Sequence, residues 1–324
     1  MRIFAYILCR VALAVAVLTL VALIVFIGTE ILPGDAVTAS IPVEELVYYT
    51  PQQLASLRAE YGLDRPLPIR FFEVWRQLFS FDFGVTLVKR EPVFDRIYFP
   101  MRNSAIMAGS ALVVMLALVT VLGVAATWRP GKRLDSTISG GILAGYSMPE
   151  FVVGNLFVIL FAVWLGIAPA VIMINTNAPA LDMLAVVLLP VMALCVATAA
   201  YQFRLLRTGM IDALDADYIE RAALAGVPRW RLSLLHALPS AMIPMLNGTA
   251  SFVASVLSGT VVIEAVFKYP GAGVELLRAL SQRDIPSIQA IAFLAALAVV
   301  VCNLLADLAA LALDPRLRRG GRHG

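Results

Sequence analysis

Three acids lie inside or beside long apolar runs of this 324-residue chain: Glu150, Glu264 and Asp307. If those runs cross a bilayer, a carboxylate near the middle costs at least about 2.5–3.5 kcal/mol on insertion scales. Such a group ordinarily faces a pathway or a partner. Glu150 follows Pro149 and is the deepest of the three. Its carboxylate suits contact with the amino group of a solute in a path; pairing with a neighbour near an interface fits the same position. Glu264 stands near the outer end of its run, where it suits an outer gate or a helix cap. Asp307 is one helical turn from Asn303 and suits a polar clasp between helices.

A second constellation, at 217–239, is polar and interrupts the apolar pattern. Asp217 and Glu220 have the D-x-x-E spacing of a capping box, which predicts a helix starting at Tyr218. Gly226 suits the left-handed residue that ends a helix, and Pro228 the first turn of the next. The expectation is a helix of about eight residues, a tight turn, and a second helix from Arg229 to Leu238. Ile219, Ala222, Ala223 and Gly226 share one small apolar face, which permits close backbone approach. Such a hairpin either docks a partner or lies on the bilayer with its arginines toward lipid phosphates.

Other chemistries find no support. A phosphate-cradling P-loop needs a lysine after a glycine in G-x4-G-K-[ST]. Lys89, Lys132 and Lys268 all lack that surround. The two histidines, His236 and His323, give no metal-ligand spacing. Cys9, Cys195 and Cys302 are odd in number and fall in or beside apolar runs, which suits packing rather than a disulfide framework.

The elements that must position these residues follow from composition. The chain is 60% hydrophobic and only 15% charged, and its apolar runs exceed the length of ordinary core helices. It reads as an all-α polytopic membrane protein with six transmembrane helices. The spans are Val11–Ile27 (with a weaker lead from Ile3), Ala105–Thr127, Ile138–Leu165 broken at Pro149-Glu150, Met183–Tyr201 with Pro190 inside, Ala241–Ile263 and Ile288–Leu313. Val37-Thr38-Ala39 could pass for a signal-peptide cleavage site. The preceding apolar run is longer than a signal core, so an uncleaved helix is expected.

Lys and Arg sort by loop. With the N-terminus inside, the inside segments hold Arg2, Arg10, Arg129, Lys132, Arg133, Arg204, Arg207, Arg221, Arg229, Arg231, Arg316, Arg318, Arg319 and Arg322. The short outside loops hold only Lys268, Arg278 and Arg283; the remaining cations fall in the long segment 28–104, which translocates regardless of charge. Both termini and the 217–239 hairpin are therefore expected in the cytoplasm. Segment 28–104 reads as a solvated region with short helices at Pro51–Glu60 and Ile69–Phe79. The chain thus divides into 1–104, a five-helix portion 105–317, and a basic tail 318–324. Nothing suggests nucleic acid as a partner; membrane lipid is one.

The hairpin resembles the EAA loop of ABC importer permeases, whose pattern is E-A-A-x3-G-x9-I-x-L-P. Glu220, Arg221, Ala222, Gly226, His236, Leu238 and Pro239 stand at its positions. Arg221 departs from the second position, and His236 is similar to the variant of the dipeptide/oligopeptide/nickel class. Further matches to that class are Pro33-Gly34-Asp35, Gly62-Leu63-Asp64-Arg65-Pro66, Asp82-Phe83-Gly84, Ala241-Met242-Ile243-Pro244, Val262 to Phe267 with Pro270-Gly271, Asn303 to Asp307, and Asp314-Pro315-Arg316.

The resemblance implies a non-enzymatic permease subunit of an ATP-driven importer in the bacterial inner membrane. Its partners would be a second, related permease (a heterodimer is favoured), two ATP-binding subunits and an external solute-binding protein. No cofactor would be bound by this chain; ATP and Mg would be used by the partner ATPases. Asp217, Tyr218, Glu220, Arg221, Ala222, Gly226, Leu238 and Pro239 would form the ATPase-coupling element, with Glu150 and Glu264 candidates for the translocation path or gate. Two rival classes are a gradient-driven secondary transporter, disfavoured because no repeat is visible, and a non-transporting anchor or sensor. The solute stays open among dipeptide, longer peptide, nickel chelate and other small molecules.

Overall fold

The computed structural model describes residues 2–31, 48–60, 64–87 and 89–313. Side chains at 2–7, 57, 58, 60, 246, 247, 249–255, 257, 258 and 306–313 are outside the description. The Pro33-Gly34-Asp35, Gly62-Leu63 and Asp314-Pro315-Arg316 motifs, the Val37-Thr38-Ala39 site, the basic tail and the Asp307 side chain therefore lie outside the described residues. Apart from one antiparallel bridge between Val85 and Pro92, every described regular element is helical. In chain order these are α1 (Arg2–Ile31), α2 (Pro51–Glu60), α3 (Leu67–Phe79), α4 (Val93–Thr127), α5 (Arg133–Tyr146), α6 (Glu150–Phe157, continued by a π-helical stretch Val158–Trp164), α7 (Ala180–Val186), α8 (Leu188–Leu214), α9 (Asp217–Leu224), α10 (Arg229–Arg231, continued by a π-helical stretch Leu232–Ala237), α11 (Leu238–Phe267), α12 (Ala272–Ser281) and α13 (Ile285–Leu313).

Among the described residues four helices are long and apolar enough to span a membrane: Leu8–Ile31, Val93–Thr127, Leu188–Leu214 and Ile285–Leu305. The pair α5 and α6 makes a fifth if it counts as one span; the two are bent by 105° across Ser147-Met148-Pro149. That break stands where the sequence predicts it, because the residue before a proline is driven out of the helical region and Pro149 adopts extended backbone. The helix α11, with 30 residues, covers the expected span 241–263.

Two spans differ most from expectation in their bounds. The helix α4 begins at Val93 rather than near Ala105, because Val93, Ile97 and Met107 are buried in register along it. The fourth span is split: α7 ends at Val186, and Pro190 falls in the first turn of α8 instead of its interior. Helix α8 then runs past Tyr201 to Leu214. Phe203, Leu206, Met210 and Ala213 recur at helical spacing and are buried, so the apolar stripe does not stop where the average hydropathy falls.

The chain forms two compact units. The first comprises Met1–Ser104 with Pro270–Val300, the second Ala105–Tyr269 with Val301–Gly324. In the first, Leu18, Ala22, Leu78, Phe83, Ile97 and Phe293 share a core. α1 and α3 are pinned by a bond from the Trp75 indole N–H to Thr19 Oγ1 (3.0 Å) and by the Arg70–Glu30 ion pair. In the second unit the most extensive packing is between α8 and α11, with α5 and α6 against α8. Small residues permit it: a Cβ on Gly209 would stand 3.1 Å from Ala241 Cα, and one on Gly145 2.8 Å from Val196 Cγ1.

Candidate functional site

The polar hairpin is built as an eight-residue helix, a tight turn and a return limb. It does not open with a capping box. The N-cap is Ala216, in extended conformation, with no side-chain cap bond, and α9 starts at Asp217 rather than Tyr218. The reason is the short link from α8: Asp215 closes that helix, and Ala216 is the one residue left to turn outward. Its carbonyl accepts the Ile219 and Glu220 amides at 2.9 and 3.2 Å. Asp217 and Glu220 therefore both sit in the first turn, where their charges complement the positive end of the helix dipole.

The other end follows the sequence reading closely. Gly226 has φ +85. Its N–H donates to the Ala223 carbonyl at 3.0 Å, and that of Val227 donates to the Ala222 carbonyl at 3.1 Å. This is the Schellman pattern, which satisfies carbonyls that the helix end leaves without partners.

The return limb departs from expectation. Pro228 is the N-cap rather than a residue of the first turn, and the limb does not end at Leu238. Arg229–Arg231 continue through the π-helical Leu232–Ala237 directly into α11, which Leu238 and Pro239 open. Proline has no N–H and its ring crowds the carbonyl four residues back; the wider turn immediately before Pro239 accommodates both defects.

Burial sorts the hairpin's faces. Ile219 is buried and Ala222 half-buried, whereas Ala223 and Gly226 are exposed, so the inward face is narrower than the four-residue stripe suggested. Asp217, Tyr218, Glu220, Arg221 and Leu224 all face out, Leu224 with 83% of its surface free. Across the turn the Trp230 ring is also exposed and carries the Arg231 guanidinium 5.1 Å from its centroid. Pro239 and His236 are exposed and Leu238 is half-buried. The outward surface thus offers two aromatic rings, a bare leucine and arginines: anchors of the kind that dominate protein interfaces.

Glu150 opens α6 at the 105° bend. It is half-buried, and no cation pairs with it among the described residues. Its carboxylate lies against Gly259 of α11: a Cβ there would meet Oε2 and stand 2.7 Å from Cδ. Sequence reasoning missed Gly259, since nothing local distinguishes it from the other helical glycines. Glu264 is fully buried three residues before the end of α11. The amides of Lys268, at φ 55, and Tyr269 donate to the Glu264 carbonyl, so its backbone closes the helix C-terminus.

Two ionic clusters also escaped the sequence reading, because their members are distant in the chain. In the second unit Arg207 grips Asp135 through two bonds, Nε to Oδ1 at 2.7 Å and Nη2 to Oδ2 at 2.6 Å. In the first, Arg96 donates to Glu275 (2.6 Å), Asp284 (2.9 Å) and Gln282 (2.7 Å). Arg278 also donates to Glu275, and the Ser287 hydroxyl and Leu87 amide to Asp284.

Residues 119–319 match the family described as binding-protein-dependent transport system inner membrane component. The chain belongs to that family. It is 30% identical over 315 residues to a probable peptide ABC transporter permease of Sinorhizobium fredii, covering 97% of this chain and 99% of that one. A putative peptide permease of Brucella suis is 29% identical over 97% of this chain and 98% of its own. The dipeptide transport system permease protein DppB of Escherichia coli is 28% identical with the same coverage. As a member of this transport family the chain is a multi-pass inner-membrane permease and not an enzyme. The hairpin, Glu150, Gly259 and Glu264 all fall inside the matched stretch.

Proposed function

We propose that this chain is one of two permease subunits of an ATP-driven importer for peptides or a similar small solute, and that α9 is the element through which the ATPases drive it. One observation carries the coupling role. An exposed eight-residue helix is closed by a Schellman turn, and the limb that returns from that turn runs without a break into the transmembrane helix α11. A membrane-lying hairpin would turn Leu224 and Tyr218 to lipid alongside Arg221 and Glu220; here all four project from one small helix, which suits a protein cleft better than a bilayer surface.

The rest of the reading follows. The chain has six spans with both termini and the hairpin in the cytoplasm, as the distribution of arginines supports. Its partner is a second, related permease. Two ATP-binding subunits receive α9 of each and use ATP and Mg; an external binding protein delivers the solute. ATP-driven closure of the ATPases moves the hairpins, and the permease pair alternates between inward- and outward-open forms. Asp217 and Glu220 strengthen α9, Tyr218, Arg221 and Ala222 shape its docking surface, and Gly226 ends it. Leu238 and Pro239 carry the motion into α11. Glu150, held in the Gly259 notch without a cation, is the group that meets a solute ammonium; Glu264 braces the outer end of the same helix. The supporting relatives are peptide permeases by name.

Reconstitution tests this reading. The chain with a related permease, two ATPases and a binding protein should take up peptide only with ATP, and solute should stimulate hydrolysis. Uptake by this chain without any ATPase, driven by an ion gradient, would overturn it.

A further inference from the structure

A cavity of about 420 Å³ opens between α5 and α8 in the second unit, its polar side formed by Asp135, Ser136, Ser139, Arg204 and Arg207. The acid there is already saturated. Asp135 Oδ1 accepts from Arg207 Nε and the Ser139 hydroxyl, and Oδ2 from Arg207 Nη2 and the Gly131 N–H. Asp135 and Arg207 thus cancel in charge. Arg204, exposed at the cavity, has no ion pair among the described residues and leaves the site one positive charge in excess. The opposite wall is hydrocarbon: Ile142, Leu143, Ala200 and Phe203.

The surroundings fix the level in the membrane. Trp128 directly follows α4, and tryptophan concentrates at the depth of lipid headgroups. Arg129, Lys132 and Arg133 follow it and are exposed. A small soluble anion would use the arginine and have no need of the apolar wall. A phospholipid uses both.

We propose that this cavity binds an anionic phospholipid, its phosphate against Arg204 and the Ser136 hydroxyl and one acyl chain along Leu143 and Phe203. The Asp135–Arg207 pair positions the site by locking α5 to α8 and by keeping the only cavity acid from competing for Arg204. Basic recesses between membrane helices are suited to such headgroups, and each arginine near the surface contributes on the order of a fivefold gain in binding.

The test is lipid retention. The full chain is placed in nanodiscs of phosphatidylcholine doped with phosphatidylglycerol, extracted into detergent, and its retained lipids are counted by native mass spectrometry. Wild type should keep phosphatidylglycerol in preference to phosphatidylcholine. Arg204→Gln and Ser136→Glu should each lower that retention about fivefold or more, while Arg76→Gln, at an exposed arginine of α3, should not. Ser136 is exposed and makes no side-chain bond that folding would miss, so Ser136→Glu decides the matter if Arg204→Gln fails to insert. Unchanged retention in Ser136→Glu, or no preference for the anionic lipid in wild type, would overturn the proposal. Displacement of phosphatidylglycerol by inorganic phosphate at equal molar amounts would make this a free-phosphate site and overturn it equally.

Discussion

Replacing Gly226 isolates the backbone requirement of the proposed coupling turn. Its φ is +85, and a Cβ built on it meets nothing within 4 Å. Alanine there therefore costs only conformation, about 1–2 kcal/mol for an L residue held left-handed. The intact-to-open ratio of the turn should then fall roughly 5- to 30-fold. An eight-residue helix has little stability of its own, so α9 depends on this turn and on the burial of Ile219. The apparent affinity for the ATPase subunits should drop with the fraction of competent hairpin, and a β-branched valine should lower it further. The assay is pull-down of the ATPases together with solute-stimulated hydrolysis in proteoliposomes. Gly166→Ala is the control: its φ is +64, it too has open space, and it stands outside the hairpin. That variant should carry the same strain with normal coupling. Wild-type binding and stimulation in Gly226→Val would refute the reasoning, because the conformation would then be dispensable.

In the first unit, Arg96→Met should destabilise by about 3–5 kcal/mol, since it strips Asp284 of its cation and leaves Glu275 only Arg278. Thermal unfolding should show Arg96→Met/Glu275→Gln/Asp284→Asn regaining most of that loss; a single variant as stable as wild type would contradict it. Gly259→Ala should lower solute uptake while the subunits still assemble, because its Cβ displaces the Glu150 carboxylate from the space it occupies. Glu150→Ala alone should lower uptake to a similar degree, with protease resistance unchanged in both variants; normal uptake by Gly259→Ala would dismiss the notch. Impermeant thiol reagents should label Ser56→Cys and Trp230→Cys from opposite sides of the membrane, and labelling from one side would break the proposed topology.

What the sequence discloses is what depends on near neighbours. The short helix Pro51–Glu60, the break at Pro149 and the left-handed Gly226 all stem from local chemistry, and each stands where the pattern predicts. Helix ends decided by tertiary burial were less legible. The extension of α8 to Leu214 rests on contacts of Phe203, Leu206 and Met210 that average hydropathy does not register. The capping box failed because its position is set by how soon α8 ends, one residue earlier than the motif requires. The ionic groups inside each unit were invisible for another reason. Arg96 and Asp284 are 188 positions apart, and Asp135 and Arg207 are 72 apart, so no spacing rule could have joined them. Gly259 belongs with them: its role comes from the Glu150 side chain that fills the space it leaves.

The absence of any loop between Arg229 and Phe267 has a mechanical meaning. A flexible joint would absorb a push on the hairpin as thermal motion; a continuous helical rod transmits it. At roughly 1.5 Å of rise per residue this rod runs on the order of 60 Å, and it carries Gly259 and Glu264 on the same shaft as Trp230. The π-helical stretch Leu232–Ala237, where a hydrogen-bond register can slip without severing the rod, and Pro244, which has no N–H for the ladder, are its compliant places. If the hairpin couples the chain to ATPases as proposed, a small torque delivered there would turn Gly259 past the Glu150 carboxylate, and a single shaft would link the ATPase movement to the way the acid faces.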